Sequence, residues 1–393
     1  MNYRDFAAGI NTYIIQQRRW FHQHPELSWE EVETTRQIVR QLEEMGYTVH
    51  TYPDRPGCWA LLQGGKATNR SKTIVLRADI DALPVEEKTG LEYASVNEGV
   101  MHACGHDCHI AMQLGAAKLL METRDQLEGN VKLFFQAAEE TCAGAGYYID
   151  HGILDGADAI FGMHIWNDLD SGKLNAQPGP RMASCGNFKI TVEGVSCHGS
   201  NPSGGVDAMV AAAAIIMNLQ TIVSRNNDPR NALAISVGTI QGGQRFNILA
   251  NQVVMEGTTR TYSKEMYEAA EPLMRRIVEN TAATFGATAT LAFDPALHAL
   301  VNSDELLNAV GAEAARKLYG EEGVREMPPL MGSEDFSMFT QHVPGIYCFL
   351  GSNCPGHDAP HHNDRFNPDE SVLQRGAALA AQFAYDYLAK TNR

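Results

Sequence analysis

The chain has little positive charge to spare: 31 Lys and Arg stand against 47 Asp and Glu, a formal net charge of −16. A nucleic-acid surface or an anionic membrane rewards clustered cations, so neither is expected as the main partner, although a local arginine or a bound cation can reverse the field inside one cleft. Long apolar runs are missing too. The most apolar stretch, residues 208–217, falls short of the roughly 20 residues that span a bilayer, and its alanines suit a packed helix, so no membrane span is expected. The opening Met1-Asn2-Tyr3-Arg4-Asp5 lacks a basic segment leading into an apolar one, so no secretory signal is expected and the cytoplasm is the expected compartment. There is no Gly-rich phosphate loop, internal repeat or low-complexity segment. The 8 cysteines are scattered through a large chain instead of framing a small one, and seven read as reduced structural residues. The exception is Cys104.

What is present is a core-forming composition, 44% hydrophobic and 20% charged over 393 residues, enough for two domains. Its densest chemistry is Met101-His102-Ala103-Cys104-Gly105-His106-Asp107-Cys108-His109. Thiolate and imidazole are good ligands for zinc and its late-transition neighbours, and the spacing of Cys104 and His106 suits an extended strand end or loop. The same residues could instead be unrelated buried Cys and His, or Cys104 a nucleophile with a histidine partner. A second cluster sharpens the choice. In Phe134-Phe135-Gln136-Ala137-Ala138-Glu139-Glu140 an apolar strand ends in two carboxylates, which at the carboxyl end of a strand in an open α/β sheet can supply one metal ligand and one general base. A solvated turn or an acidic helix start would produce the same letters.

Taken in order, residues 5–23 and 29–45 read as amphipathic helices, with His22 and His24 as structural histidines before Pro25. Buried strands are expected at 73–84, 130–138 and 159–165, and a helix from about 107 to 120. Four strand ends would then carry Asp79/Asp81, Cys104/His106, Glu139/Glu140 and His164. Between about 183 and 294 the order becomes β-α-β-β-α-β, the ferredoxin-like arrangement of two helices on one face of an antiparallel sheet. From 303 the helix, strand, helix pattern resumes the first domain. The expected fold is therefore α/β, a catalytic domain with a mixed, mostly parallel sheet flanked by helices, interrupted by an α+β insertion. The boundaries are 1–183, 184–298 and 299–393.

These motifs together resemble the M20 family of metal-dependent amidohydrolases and peptidases, in the branch of hippurate hydrolases, auxin-conjugate hydrolases and N-acyl amino acid deacetylases. The resemblance spans nearly the whole chain and rests on His24-Pro25-Glu26-Leu27, Arg77-Ala78-Asp79-Ile80-Asp81-Ala82-Leu83-Pro84, His102-Ala103-Cys104-Gly105-His106-Asp107, Glu139-Glu140, Gly162-Met163-His164, His198-Gly199-Ser200, Phe246-Asn247, Gly332-Ser333-Glu334-Asp335-Phe336 and His362. It implies one or two divalent ions, zinc, manganese, nickel or cobalt, held by Cys104, His106, Glu140, His164 and His362. Glu139 would be the general base toward a metal-bound water and Asp81 the carboxylate that orients the site. The insertion would be a lid and dimerisation domain, whose His198 reaches the neighbouring active site of a homodimer to stabilise the oxyanion, with Asn247 and Arg260 contacting the substrate carboxylate. The implied reaction is hydrolysis of an N-acyl amino acid or similar amide. A dipeptidase or aminopeptidase of the same fold, or a non-catalytic metal-binding module, are the alternatives. Ala208, where the family usually has proline, and Leu249-Ala250-Asn251, in place of Ile-Pro-Asp, depart from the pattern beside the implied substrate face. His361 beside His362 is a second candidate for the last ligand.

Overall fold

The computed structural model describes residues 1–392. In chain order the helices are α1 (Arg4–Gly9), α2 (Asn11–Gln23), α3 (Val32–Glu44), α4 (His106–Glu122), α5 (Gly144–Asp150), α6 (Ala208–Thr221), α7 (Lys264–Thr284), α8 (Glu305–Tyr319), α9 (Phe336–Phe339) and α10 (Leu373–Thr391). The strands are β1 (Val49–Thr51), β2 (Cys58–Gln63), β3 (Thr73–Asp79), β4 (Asn130–Gln136), β5 (Ala159–Asp170), β6 (Leu174–Asn175), β7 (Gly179–Met182), β8 (Cys185–Glu193), β9 (Leu233–Gly242), β10 (Gln252–Thr261), β11 (Thr288–Leu297), β12 (Leu300–Asn302) and β13 (Gly345–Asn353). Two compact units result. One comprises Met1–Gly179, Val301–Pro328 and the residues from Asp335 onward, the other Pro180–Leu300 with Pro329–Glu334.

The first unit is built on a seven-stranded sheet ordered β1-β2-β4-β3-β5-β13-β6. Its centre, β4-β3-β5-β13, is parallel, and β1, β2 and β6 join antiparallel at the edges. Every residue of β3 is buried, as expected of a central parallel strand covered on both faces. The chain leaves β3 through α4 to reach β4 on one side, then returns through α5 to β5 on the other, so the strand order reverses at β3. In open α/β sheets that reversal opens a crevice at the carboxyl ends of the strands, and the chemistry-bearing residues gather there.

The second unit has the antiparallel order β11-β8-β10-β9, with α6 and α7 packed on one face. Phe188, Ile190 and Val192 alternate inward from β8 onto Ala211, Ile215 and Leu219 of α6 and Met274 and Val278 of α7. Asp207 caps α6 by accepting from Met209 N–H at 2.9 Å, and Ser263 caps α7 through Met266 N–H at 3.2 Å. With the π turn that follows it, α6 is the one helix among the described residues long and apolar enough to cross a membrane by length and composition. Here it is a helix of the ferredoxin-like layer, apolar on the side it packs and also on part of its outer side.

Four expectations need correction. The helix expected over 5–23 is broken at Ile10 after Gly9, a residue that weakens helix interiors, and the one expected from 29 starts only at Val32 because Trp29 adopts a left-handed backbone (φ 70°). Cys104 and His106 are not on a strand end: no strand exists there, and His106 opens α4. His164 lies within β5, which runs on to Asp170. The segment Pro329–Glu334 joins the second unit through Ala183 N–H, which donates to Leu330 O at 3.0 Å and Gly332 O at 2.8 Å.

Candidate metal centre

Gly105 turns the chain between the two expected ligands. Its φ of 101° is open to glycine, and an added Cβ would lie 2.6 Å from Ile165 Cγ2, so both conformation and space exclude any other residue. That turn lets Cys104 in the loop and His106 in the first turn of α4 face the same crevice. Cys104 Sγ lies 3.4 Å from His164 Nε2 of β5, and His106 Nε2 lies 3.9 Å from Glu140 Oε1. Glu140 Oε2 is 3.7 Å from His362 Nε2. Two donors sharing one cation with bonds of about 2.0–2.3 Å lie about 3–4 Å apart, which is the spacing of all three pairs. Glu139 belongs to the same group, with ligand atoms of His106, Glu139 and Glu140 mutually within 4.8 Å.

The hydrogen bonds behind His106 and His164 leave one lone pair of each aimed forward. His106 Nδ1 donates to Asp81, to the carbonyl at 3.0 Å and Oδ1 at 3.2 Å, so Nε2 is the free nitrogen. His164 Nδ1 donates to Ile165 O, leaving Nε2 toward Cys104. Asp81 also accepts from Ser28 Oγ at 2.7 Å and from Glu140 N–H at 3.0 Å, tying three elements together. His109, also in the ligand-rich stretch, is otherwise engaged: Nδ1 donates to Asp79 and Nε2 accepts Ile165 N–H at 2.9 Å. His361 is likewise engaged on both nitrogens, by Asn167 N–H at 3.1 Å and Cys104 O at 3.1 Å, and stacks on Trp166. His362 presents its ring to Glu140 instead.

The electrostatics favour a cation. Burial disfavours the His106 imidazolium, yet Asp79, Asp81 and Glu140 outweigh it and push the pKa up to about 10. Burial, with His106 opposing and Asp81 adding, pushes Glu140 up to about 7, and burial followed by Glu140, Glu139 and Asp79 drives the Cys104 thiol well up. His164 is held neutral, chiefly by burial. A cluster that raises both a histidine and a carboxyl has more negative charge than its own cations balance. Two buried atoms in it, His106 Nε2 and Glu140 Oε1, have no hydrogen-bond partner although they face each other. Unsatisfied buried polar atoms are rare, and a divalent cation would satisfy both while neutralising the carboxylates. The residues therefore fit the expected metal.

The remaining expected site residues lie in the second unit. His198 is exposed, its Nδ1 3.2 Å from Ser200 N–H and 2.7 Å from Ser200 Oγ, which puts the ring proton on Nε2. Asn247 is beside it, since Gly199 N–H donates to Asn247 O at 2.8 Å and His198 pairs with Ile248. Arg260 Nη1 donates to Thr258 Oγ1 and Thr259 O on its own strand.

Two supporting features lie outside the expected ligands and catalytic residues. Arg77, Asp79, Gln136 and Asp335 form a buried network, with Arg77 Nη2 to Asp335 Oδ1 at 2.8 Å across 258 residues of chain. Glu31, which reads as an ordinary acidic helix start, is buried against the Glu139 turn and accepts Ala138 N–H at 2.8 Å.

Comparison with known proteins finds relatives over nearly the whole chain. The model of peptidase family M20/M25/M40 matches residues 75–386. An N-acetylcysteine deacetylase of Bacillus subtilis is 40% identical over 377 residues, covering 96% of this chain and 97% of that protein. An IAA-amino acid hydrolase of Arabidopsis thaliana, ILR1-like 4, is 36% identical over 390 residues, 98% of this chain and 86% of that protein. Among solved structures, a dinuclear metal binding peptidase from Bacillus subtilis superposes with a TM-score of 0.86 at 36% identity, covering 97% of this chain and 99% of that one.

Proposed function

The chain belongs to peptidase family M20/M25/M40, and from that premise we propose that it hydrolyses the amide of an N-acyl amino acid or similar small conjugate, releasing a carboxylic acid and an amino acid. The observation that carries the proposal is the pair of unpartnered buried atoms, His106 Nε2 and Glu140 Oε1, 3.9 Å apart beside Cys104, His164 and His362. These five side chains would hold the metal. A bound divalent cation there supplies Lewis acidity and lowers the pKa of adjacent water. The donors mix one thiolate with imidazole and carboxylate, a set that accepts zinc, manganese, nickel or cobalt.

In this reading Glu139 accepts the proton of the attacking water and returns it to the leaving nitrogen, because it is the carboxylate next to the ligands whose neighbour Glu140 is committed to the cation. Asp81 keeps His106 in its ligand tautomer and fixes the Glu140 backbone in the same contact set. His198, with its proton on the exposed Nε2, donates to the developing oxyanion, and Asn247 and Arg260 meet the substrate carboxylate. The second unit acts as lid and dimerisation domain in a cytoplasmic enzyme. Its outer face favours a twin. Val210 and Met217 on α6 are 50% and 69% exposed, and Ile240 on edge strand β9 is 47% exposed, so a second copy pairing across a two-fold axis would cover an apolar stripe and an open strand edge together.

The test is a hydrolysis screen of N-acetyl, N-benzoyl and N-indoleacetyl amino acids and plain dipeptides, with the metal-loaded protein and again after chelation. Cleavage of N-acyl amino acids that chelation abolishes and metal restores is expected. Cleavage of free-amine dipeptides alone would make it a peptidase, and no cleavage at all would leave a binding module.

A further inference from the structure

The Glu139-Glu140 pair is presented by a backbone that needs support. Ala138, just before it, is fully buried in a left-handed conformation (φ 60°), which L-residues with a Cβ reach only against steric resistance. Cys142, two residues after the pair, is left-handed as well (φ 56°). Between them the turn closes on itself, with Gly144 N–H donating to Ala138 O at 3.1 Å and Cys142 N–H to Glu139 O at 2.8 Å. There is no slack at its base, where a Cβ on Gly144 would lie 2.2 Å from Ala137 O. A strained turn persists only where the surroundings over-determine it.

Two carboxylates from other elements do this. Asp81, beyond β3, takes Glu140 N–H at 3.0 Å, and Glu31, at the N-cap of α3, takes Ala138 N–H at 2.8 Å. Glu31 is itself locked: its carbonyl accepts from Thr35 N–H at 3.0 Å and Thr35 Oγ1 at 2.6 Å, and the same hydroxyl accepts Gly57 N–H at 2.8 Å. The second oxygen of Glu31, Oε2, is buried with no hydrogen-bond partner. Burying a carboxyl for bonds to two backbone amides, its own and that of Ala138, is a costly way to stabilise a fold, since an apolar side chain would fill the space without the desolvation loss. Burial, helped by Asp81, accordingly pushes its pKa up to about 8.

We propose that Glu31 is a positioning residue of the active site, one that holds Ala138 left-handed through its N–H and so aims Glu139 at the reacting water and Glu140 at the metal. The inference rests on the roles proposed above for those two glutamates. It requires an acceptor oxygen at position 31 and no charge, which separates it from a general electrostatic or packing role.

The experiment compares Glu31→Gln, which keeps the acceptor, with Glu31→Met, which keeps length and volume without one. Zinc affinity is read by competition with a chromophoric chelator, and kcat and KM on the best substrate of the screen. Glu31→Gln should stay within about threefold of wild type in all three, whereas Glu31→Met should lose about 10- to 100-fold in kcat and in zinc affinity with little change in KM, the range seen when a residue behind a metal ligand is removed. Glu31→Ala serves with the same readouts if the methionine variant does not fold. Equal behaviour of the glutamine and the acceptor-free variant, whether both intact or both impaired, would overturn the proposal. A wild-type chain that hydrolyses no amide would sink the functional reading alone, because zinc affinity still tests this one.

Discussion

The two units treat their functional residues in opposite ways. In the first, three of the five candidate ligands are backed by a second residue that fixes their direction: His106 by Asp81, His164 by the Ile165 carbonyl, and Glu140 by Asp81 through its backbone. In the second, His198 stands exposed in a Gly/Ser-rich loop, and nearby Phe246 is 95% exposed at the β9–β10 connection. A preorganised metal face needs nothing more from its own unit to bind a cation. An exposed donor loop beside an apolar edge has the character of a surface finished by another copy. The contrast predicts that damage in the first unit acts within one chain, while damage in the second can be repaired from outside.

The largest expected effect is at the base. Glu139→Gln should keep its metal and its fold yet lose about a hundred- to ten-thousand-fold in turnover, the usual worth of a general base. Full activity with normal metal content in that variant would remove Glu139 from the chemistry. Next comes His198→Ala, expected to reduce kcat about a hundred- to a thousand-fold with zinc affinity untouched, because in the proposed mechanism it donates to the oxyanion and not to the ion. A fall in zinc affinity equal to that in kcat would blur the division between the units. Cys104→Ser should lower zinc affinity and shift preference toward harder ions such as manganese, since an alcohol is a poorer soft ligand than a thiolate. Unchanged metal content and preference would leave Cys104 as a core residue.

A surface change in the second unit should act on assembly before chemistry. Met217→Glu puts a charge in the exposed α6 stripe, and the protein should sediment as a monomer with most of its turnover gone and its zinc affinity kept. A monomeric variant of full activity would detach dimerisation from catalysis. The smallest effect concerns Glu31. Its folded pKa of about 8 lies above the unfolded value of 4.5, so its carboxyl penalises the native state increasingly as pH rises from 4.5 to about 8. Glu31→Gln removes that penalty, so any gain in thermal stability over wild type should be greater at pH 8.5 than at pH 5. An equal change at both would mean the buried carboxyl does not titrate in this range.

Much of this was legible in the letters because it depends on local pattern. An apolar strand ending in Glu139-Glu140 can scarcely hide, and the β-α-β-β-α-β order of the second unit follows from period changes alone. Two of the errors come from backbone direction. Cys104 and His106 share a crevice through the left-handed Gly105, not through a strand's alternation, and helix α3 starts late because Trp29 turns left-handed. Arg77 and Asp335 meet across 258 residues, a pairing that only the sheet order creates. Glu31 was invisible for a different reason. An acid at a helix start is ordinary, and what distinguishes it is burial against a strained turn more than a hundred residues away.

The claim that one unit holds the metal while the other serves a neighbouring subunit is tested most directly by mixing two inactive chains, His198→Ala and Glu139→Gln, under conditions that exchange subunits. Each heterodimer would then contain one site with both an intact base and an intact donated histidine, so about a quarter of all sites should recover at equal mixing. No recovery, with heterodimers demonstrated by mass, would mean that His198 serves its own chain or takes no part in the reaction.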